Sequence, residues 1–263
     1  MRRWTDRAFT FLKTRASCWG AAWRRAAVDL LFPPRCLHCD ADLAAITDDL
    51  LLCEDCKVRL GPLVRPCCQR CGAAASADCP APERCPRCQG TALRFDAVVA
   101  LGAYRNELRH AVLRMKQPEG DPLSGAVAGL LWVRRSAELT RLAADLIVPI
   151  PMHWARRFQR GTNSPERVAA VLGRRLKRPV AYRLLRWRRK TKLQSELSPK
   201  ERFRNVRDAF RTARGRRVEG ARILLIDDVL TTGATCSEAA RTLKLAGASM
   251  VGAAVVARAE GNP

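Results

Sequence analysis

Residues 222–235 read Arg-Ile-Leu-Leu-Ile-Asp-Asp-Val-Leu-Thr-Thr-Gly-Ala-Thr. Ile223, Leu224, Leu225 and Ile226 are too few for an amphipathic helix and do not alternate with polar residues. They predict a short strand buried on both faces, as in the middle of a parallel sheet. Chemistry in such sheets gathers at the carboxyl ends of the strands. Here that end carries two carboxylates, Asp227 and Asp228, and then a small loop of Thr231, Thr232, Gly233, Ala234 and Thr235. Backbone N–H groups of such a loop, with the positive end of the helix after it, form a seat for phosphate. The acid pair suits the two hydroxyls of a ribose, or a Mg²⁺ ion that a pyrophosphate carries. A plain turn needs neither paired acids nor three threonines around one glycine.

Two other phosphate grammars are excluded. No Gly-x-Gly-x-x-Gly follows a strand anywhere in the chain, and the loop at 231–235 has no lysine of the P-loop kind.

The cysteines form a repeat. Cys36-x2-Cys39-x13-Cys53-x2-Cys56 recurs, shifted by 32 residues, as Cys68-x2-Cys71-x13-Cys85-x2-Cys88. Paired CxxC knuckles at this spacing predict two tetrahedral thiolate Zn²⁺ sites that are structural, since four protein sulfurs leave no open position. Disulfides would be expected with an export signal, and the sequence shows none. The repeat favours local pairing of the knuckles; a crossed arrangement stays open, as do the roles of Cys67 and Cys79. His38, inside the first knuckle, reads as a bystander, and Cys236 as a small residue early in a helix. The segment between Cys36 and Cys88 has few large apolar residues, so metal supplies much of its folding energy.

The remainder reads as alternating strands and helices. Strands are expected at 97–101, 145–150, 223–226 and 250–256, and helices at 106–116, 125–141 and 236–246. Pro118, Gly120 and Pro122 separate the first two helices. After the strand ending Val148-Pro149-Ile150-Pro151 comes a basic loop with His153, Arg156, Arg157, Arg160, Gly161 and Asn163. Ser164 is expected to cap the next helix, with Pro165 as its first residue. This is a second place for an anion. Three segments result: a basic amphipathic helical segment at 1–31, a double zinc ribbon at 32–92, and an α/β domain at 93–263.

The formal net charge is +23. Polyanions are natural partners for such a chain, although abundant arginine on a solvated surface would give the same total. The cluster of Arg183, Arg186, Arg188, Arg189, Lys190 and Lys192 around Trp187 favours binding, because arginine and tryptophan together grip phosphates and stack on bases. No apolar run approaches the roughly 20 residues needed to span a bilayer. A cytoplasmic protein is expected.

The 222–235 stretch closely resembles the phosphoribosyl diphosphate (PRPP) signature of type I phosphoribosyltransferases. With the four knuckles, Tyr104 and Lys116, Val148-Pro-Ile-Pro with Arg160-Gly-Thr-Asn, and Thr191, Gln194, Leu197, Arg202 and Asn205-Val206, the chain resembles the ComF family. The resemblance runs from Leu31 to Arg258. It implies an α/β phosphoribosyltransferase-like parallel sheet with helices on both faces behind the zinc module, PRPP as ligand with Mg²⁺, and a part in natural competence. Single-stranded DNA or DNA-uptake proteins are the implied partners, and homo-oligomerisation stays open.

Carried onto this chain, the resemblance implies that Asp227 and Asp228 bind ribose and that residues 231–235 bind the 5′-phosphate. Lys116 would be a further phosphate contact. The segment from Val148 to Arg160 would contact pyrophosphate, Arg156, Gly161 and Asn163 would bind PRPP, and residues 189–206 would form a mobile cover. Asp227, Asp228, Arg160 and Lys190 are then the catalytic set. Where the family usually has an aromatic residue and a glutamine beside the Gly-x-Asn element, this chain has Thr162 and Ser164.

Overall fold

The computed structural model describes residues 33–43, 48–61, 67–74, 85, 88, 93–152, 163–192, 197–213 and 218–259. The amino-terminal basic segment and the loop with His153, Arg156, Arg157, Arg160, Gly161 and Thr162 lie outside them, as do Cys79 and Gln194. The chain divides into two compact units, one ending at Cys53 and the other starting at Glu54.

In the first unit the chain doubles back on itself. Cys36 N donates to the Ala41 carbonyl (2.8 Å) and Leu37 N to the Leu51 carbonyl (2.9 Å). Asp40 takes a left-handed φ of 60° at the turn between them, a conformation that a short polar side chain tolerates.

The second unit opens with the short helix α1 (Glu54–Leu60). Its centre is a sheet of β1 (Ala97–Ala103), β2 (Leu146–Pro149), β5 (Arg222–Leu230) and β6 (Met250–Arg258) in the order β1-β6-β5-β2, with every pairing parallel. β6 is apolar and small at its centre and buried along nearly its whole length, as a strand covered on both faces must be. Side chains of one parity on β5 and β6, among them Ile223, Leu225, Val251, Ala253 and Val255, share a core with α6 (Ala234–Leu245). On the other parity, Gly252 lies against Leu142, just past helix α3 (Asp121–Arg141). Helix α4 (Ser164–Leu176) packs on α3, β2 and β5, and α2 (Asn106–Met115) on α3.

Several boundaries differ from the sequence reading. α3 begins at Asp121, not at residue 125, because Pro122 sits in the first turn, where its missing N–H costs nothing. Ser164 is the first residue of α4, after Asn163, and does not cap it. Its hydroxyl is buried and donates to the carbonyl of Met115 (2.9 Å), one of the last carbonyls of α2. β5 continues through both acids to Leu230, since Asp227 and Val229 still lie opposite Val255 and Ala257 of β6.

A small antiparallel ribbon of β3 (Leu185–Trp187) and β4 (Phe210–Thr212), with the helix α5 (Pro199–Val206) between them in sequence, completes the unit. α5 starts with a full capping box, Ser198 Oγ accepting from Glu201 N while the Glu201 carboxylate accepts from Ser198 N. Among the described residues, no helix is long and apolar enough to cross a membrane.

Candidate functional site: an acid pair facing a phosphate-type loop

The crevice arises from unequal strand lengths. β2 pairs with β5 only as far as Pro149 opposite Ile226, and Ile150 N adds one bond to the Ile226 carbonyl (2.8 Å). Beyond that point β5 runs on beside β6 alone, so Asp227 and Asp228 project past the end of β2. They open into a cavity of about 370 Å³, which Lys116, Asn163, Trp187, Lys190, Thr191 and residues 231–235 also line.

The acids are not equivalent. Burial, and then the like charge of Asp228, push the Asp227 carboxyl up to about 8, well above the usual carboxylate range. The N–H of Asp228, which donates to Asp227 Oδ1 (2.9 Å), and the charge of Lys116 work against that rise without cancelling it. Asp228 instead pairs with Lys116, whose Nζ lies 3.0 Å from Oδ2, both side chains being largely buried. The Asp227 carboxyl therefore holds its proton in the ligand-free site at neutral pH. The Cys236 thiol, 3.7 Å from Asp227 Oδ2, is itself pushed well up by burial and stays protonated as a weak donor.

Local geometry explains the loop sequence. Gly233 has φ 82° and ψ 5°, in the left-handed region. A Cβ there would come within 3.2 Å of Leu93 Cδ2 and 3.3 Å of the Phe95 ring, so both conformation and space select glycine. Ala234 N donates to Thr232 Oγ1 (3.3 Å), which ties the loop to the start of α6. No acid stands in the first turn of α6 to compete for the positive end of its dipole.

A wall of the cavity comes from the β3–β4 ribbon. Trp187 is half-buried: its ring lies 4.4 Å from that of Phe210, and Nε1 donates to the Pro151 carbonyl (2.7 Å). The ring is thus packed into the cavity wall, whereas the flanking Arg186 and Arg188 are exposed. The alternation Leu185 in, Arg186 out, Trp187 in is that of a strand. The described part of the expected cover, 189–192 and 197–206, is tied down. Asn205 bonds both N and O of Lys192 (3.0 Å each), and the Arg189 guanidinium donates to the carbonyls of Asn205 (3.0 Å) and Arg207 (2.6 Å).

Residues 27–91 match the double zinc ribbon domain family and residues 164–262 the phosphoribosyl transferase domain family. The chain is 30% identical over 190 residues to the DNA utilization protein YhgH of Salmonella typhimurium, a match covering 70% of this chain and 80% of that protein. The chain belongs to the ComF family. Another relative of this ComF-family chain, Competence protein F of Haemophilus influenzae, is 28% identical over 229 residues, which cover 86% of this chain and 97% of that one. Among solved structures, glutamine PRPP amidotransferase from B. subtilis complexed with ADP and GMP overlaps it at 21% identity and a TM-score of 0.32. That overlap covers 52% of this chain and 27% of the amidotransferase.

The ComF-family chain brings its cysteines together as the repeat predicts. Cys36, Cys39, Cys53 and Cys56 form one cluster and Cys68, Cys71, Cys85 and Cys88 the other, with all sulfurs of a cluster within 4.8 Å of one another. The knuckles thus pair locally. The sulfurs of Cys39 and Cys53, Cys68 and Cys88, and Cys71 and Cys85 are each 3.7 Å apart. A tetrahedron with Zn–S bonds of about 2.3 Å has edges of about 3.8 Å, so the donor set fits Zn²⁺ in both number and size. Cys53 N, 3.4 Å from Cys36 Sγ, adds a donor of the kind that supports a thiolate. His38 and Cys67 are outside both clusters.

Of the residues singled out from sequence, Asp227, Asp228, Lys116, Asn163, Lys190, Thr231, Thr232, Gly233, Ala234 and Thr235 surround one cavity. Arg156, Arg160 and Gly161 fall outside the described residues. Asn163 is buried, and its Nδ2 has no hydrogen-bond partner among the described residues. Sequence reasoning missed Ile150, Met152 and Cys236 as cavity residues. Cys236 follows the loop by one residue, and only the pairing of β5 with α6 across the core brings it against Asp227.

Proposed function

We propose that this chain binds PRPP at the carboxyl end of β5 and transfers its ribosyl phosphate to an acceptor with release of pyrophosphate. The observation that carries the reading is the convergence of Asp227, Asp228 and residues 231–235 on one cavity of about 370 Å³. That volume lies within the usual range for small-molecule sites, roughly 300–1,000 Å³. The 5′-phosphate takes the N–H groups of the loop and the positive end of α6. Asp228 accepts from one ribose hydroxyl, while Asp227, protonated, both donates and accepts.

Negative charge grows on the pyrophosphate as its bond to C1 breaks, so cations placed there lower the barrier more than they tighten ground-state binding. Lys190 lines the cavity, and Arg160 is assigned to the same task by family resemblance. Mg²⁺ bound with PRPP supplies further neutralisation of the pyrophosphate. The names of the relatives, Competence protein F and DNA utilization protein YhgH, support a cytoplasmic role in DNA uptake or natural transformation.

A second reading keeps the ligand and drops the turnover: a PRPP-sensing adaptor that docks on single-stranded DNA. Among the described residues lining the cavity, Asp227 and Asp228 are the only acids, and both are assigned to the ribose. Arg183, Arg186 and Arg188 are exposed on and beside β3. This reading predicts PRPP binding without pyrophosphate release, and DNA affinity falling steeply as salt rises.

Calorimetric titration of PRPP with Mg²⁺ into the wild-type chain and into Asp227→Asn/Asp228→Asn tests the site. Binding to the wild type that is lost in a folded, fully metallated double variant supports it; equal binding to both refutes the assignment.

A further inference from the structure

Arg258, the last residue of β6, is buried at 8% exposure. Its Nε donates to the carbonyl of Cys71 (2.8 Å), and Nη1 donates to the carbonyls of Leu230 (2.9 Å), Ala259 (2.7 Å) and Thr231. Cys71 holds a ligand position in the second cysteine cluster. Leu230 ends β5, and Thr231 opens the phosphate-type loop. One planar cation therefore touches the metal module and the ligand loop at once.

The orientation has a consequence. A trans peptide unit points its C=O and N–H in opposite directions. Drawing the carbonyls of Leu230 and Thr231 toward Arg258 turns the N–H groups of Thr231 and Thr232 away from it, and the cavity is lined by both residues. Other contacts join the same two regions. Arg70 Nη2 donates to the Leu93 carbonyl (3.3 Å), Leu93 packs against Gly233, and Arg94 N donates to Ser237 Oγ (3.0 Å) in the first turn of α6. Gly72, next to Cys71, has φ +69°, and a Cβ there would lie 2.9 Å from Val98 Cγ1, so the knuckle sits hard against β1.

We propose that Arg258 is a positioning residue that couples metal occupancy of the second cysteine cluster to the geometry of the phosphate-binding loop. The inference rests on the reading that this loop binds the phosphate of PRPP. Metal fixes Cys71, Cys71 fixes the guanidinium, and the guanidinium fixes the peptide planes that present the loop donors. Coupling of this kind is reciprocal, so ligand on the loop must also tighten binding of the metal.

The test competes zinc away from the full-length zinc-loaded protein with a chromogenic chelator at equilibrium, with and without PRPP and Mg²⁺, beside PRPP titrations. In the wild type, PRPP tightens binding of one of the two zinc ions by about fivefold or more and leaves the other unchanged. Arg258→Gln retains two zinc ions per chain, binds PRPP at least about tenfold more weakly, and loses the protection. Arg258→Lys keeps the charge without the planar fork, falls between the two, and carries the test should Arg258→Gln not fold. Wild-type PRPP binding with neither zinc ion held more tightly, or undiminished protection in the Arg258 variants, overturns the coupling. Absence of PRPP binding to the wild type overturns the ligand reading itself, and the coupling falls with it.

Discussion

Replacing Asp227 by asparagine should stabilise the ligand-free protein while destroying its ligand site, and the gain should depend on pH. Asp227 is raised to about 8 by burial and by Asp228, against an ordinary value of 3.8. Between these values the folded protein holds a proton that the unfolded chain has released, so the contribution of this group to stability falls as pH rises through that window. Each unit corresponds to about 1.4 kcal/mol, which puts the ceiling on the order of 5 kcal/mol above pH 8. Partial solvent access reduces the amount expected to about 2 kcal/mol. The asparagine keeps an oxygen for the Asp228 N–H and carries no charge to be desolvated. Urea unfolding of zinc-loaded wild type and Asp227→Asn from pH 5 to 8.5 measures the difference. The variant should already be ahead at pH 5, above the ordinary value of 3.8, and its lead should widen to about 2 kcal/mol at pH 8.5, or roughly 4–8 °C in Tm. A variant less stable at every pH, or a difference that does not grow with pH, refutes the placement of a strained, protonated acid at this position.

Other perturbations separate the parts of the fold. Gly233→Ala meets both a left-handed φ and the Leu93 and Phe95 side chains, so it should cost about 1–2 kcal/mol in thermal unfolding and weaken PRPP binding in calorimetry. Trp187→Ala removes the Phe210 contact and the bond to the Pro151 carbonyl; a loss of about 2 kcal/mol, with zinc content unchanged by atomic absorption, is expected for this half-buried site. Cys39→Ser and Cys71→Ser should each lower zinc from two to one per chain, and full metal content in either would contradict the ligand sets.

What could be read from the sequence was local chemistry with a fixed spacing. The cysteine repeat predicts two clusters because each knuckle and its partner are close in the chain, and the structure closes both. The acid pair and the loop are contiguous with their strand, so the heart of the candidate site was legible too. Features that depend on a distant partner were not. β5 extends past the apolar residues because β6 continues beside it, and no local pattern reveals that register. β3 and β4 have three residues each, too few for periodicity to stand out, and nothing local to Trp187 shows that Phe210 and Pro151 hold it. Arg258 ends an apolar strand, where a charge usually marks solvent, yet four carbonyls bury it. Ser164 looked like a cap because it precedes Pro165, but the end of α2 claims its hydroxyl.

A crystal structure of the zinc-loaded chain grown with PRPP and Mg²⁺ decides whether this cavity holds a ribose phosphate in one orientation. The ribose hydroxyls should lie on the Asp227 and Asp228 carboxyl groups and the 5′-phosphate on the N–H groups of residues 231–235. PRPP bound elsewhere, or with its phosphate away from that loop, would contradict it.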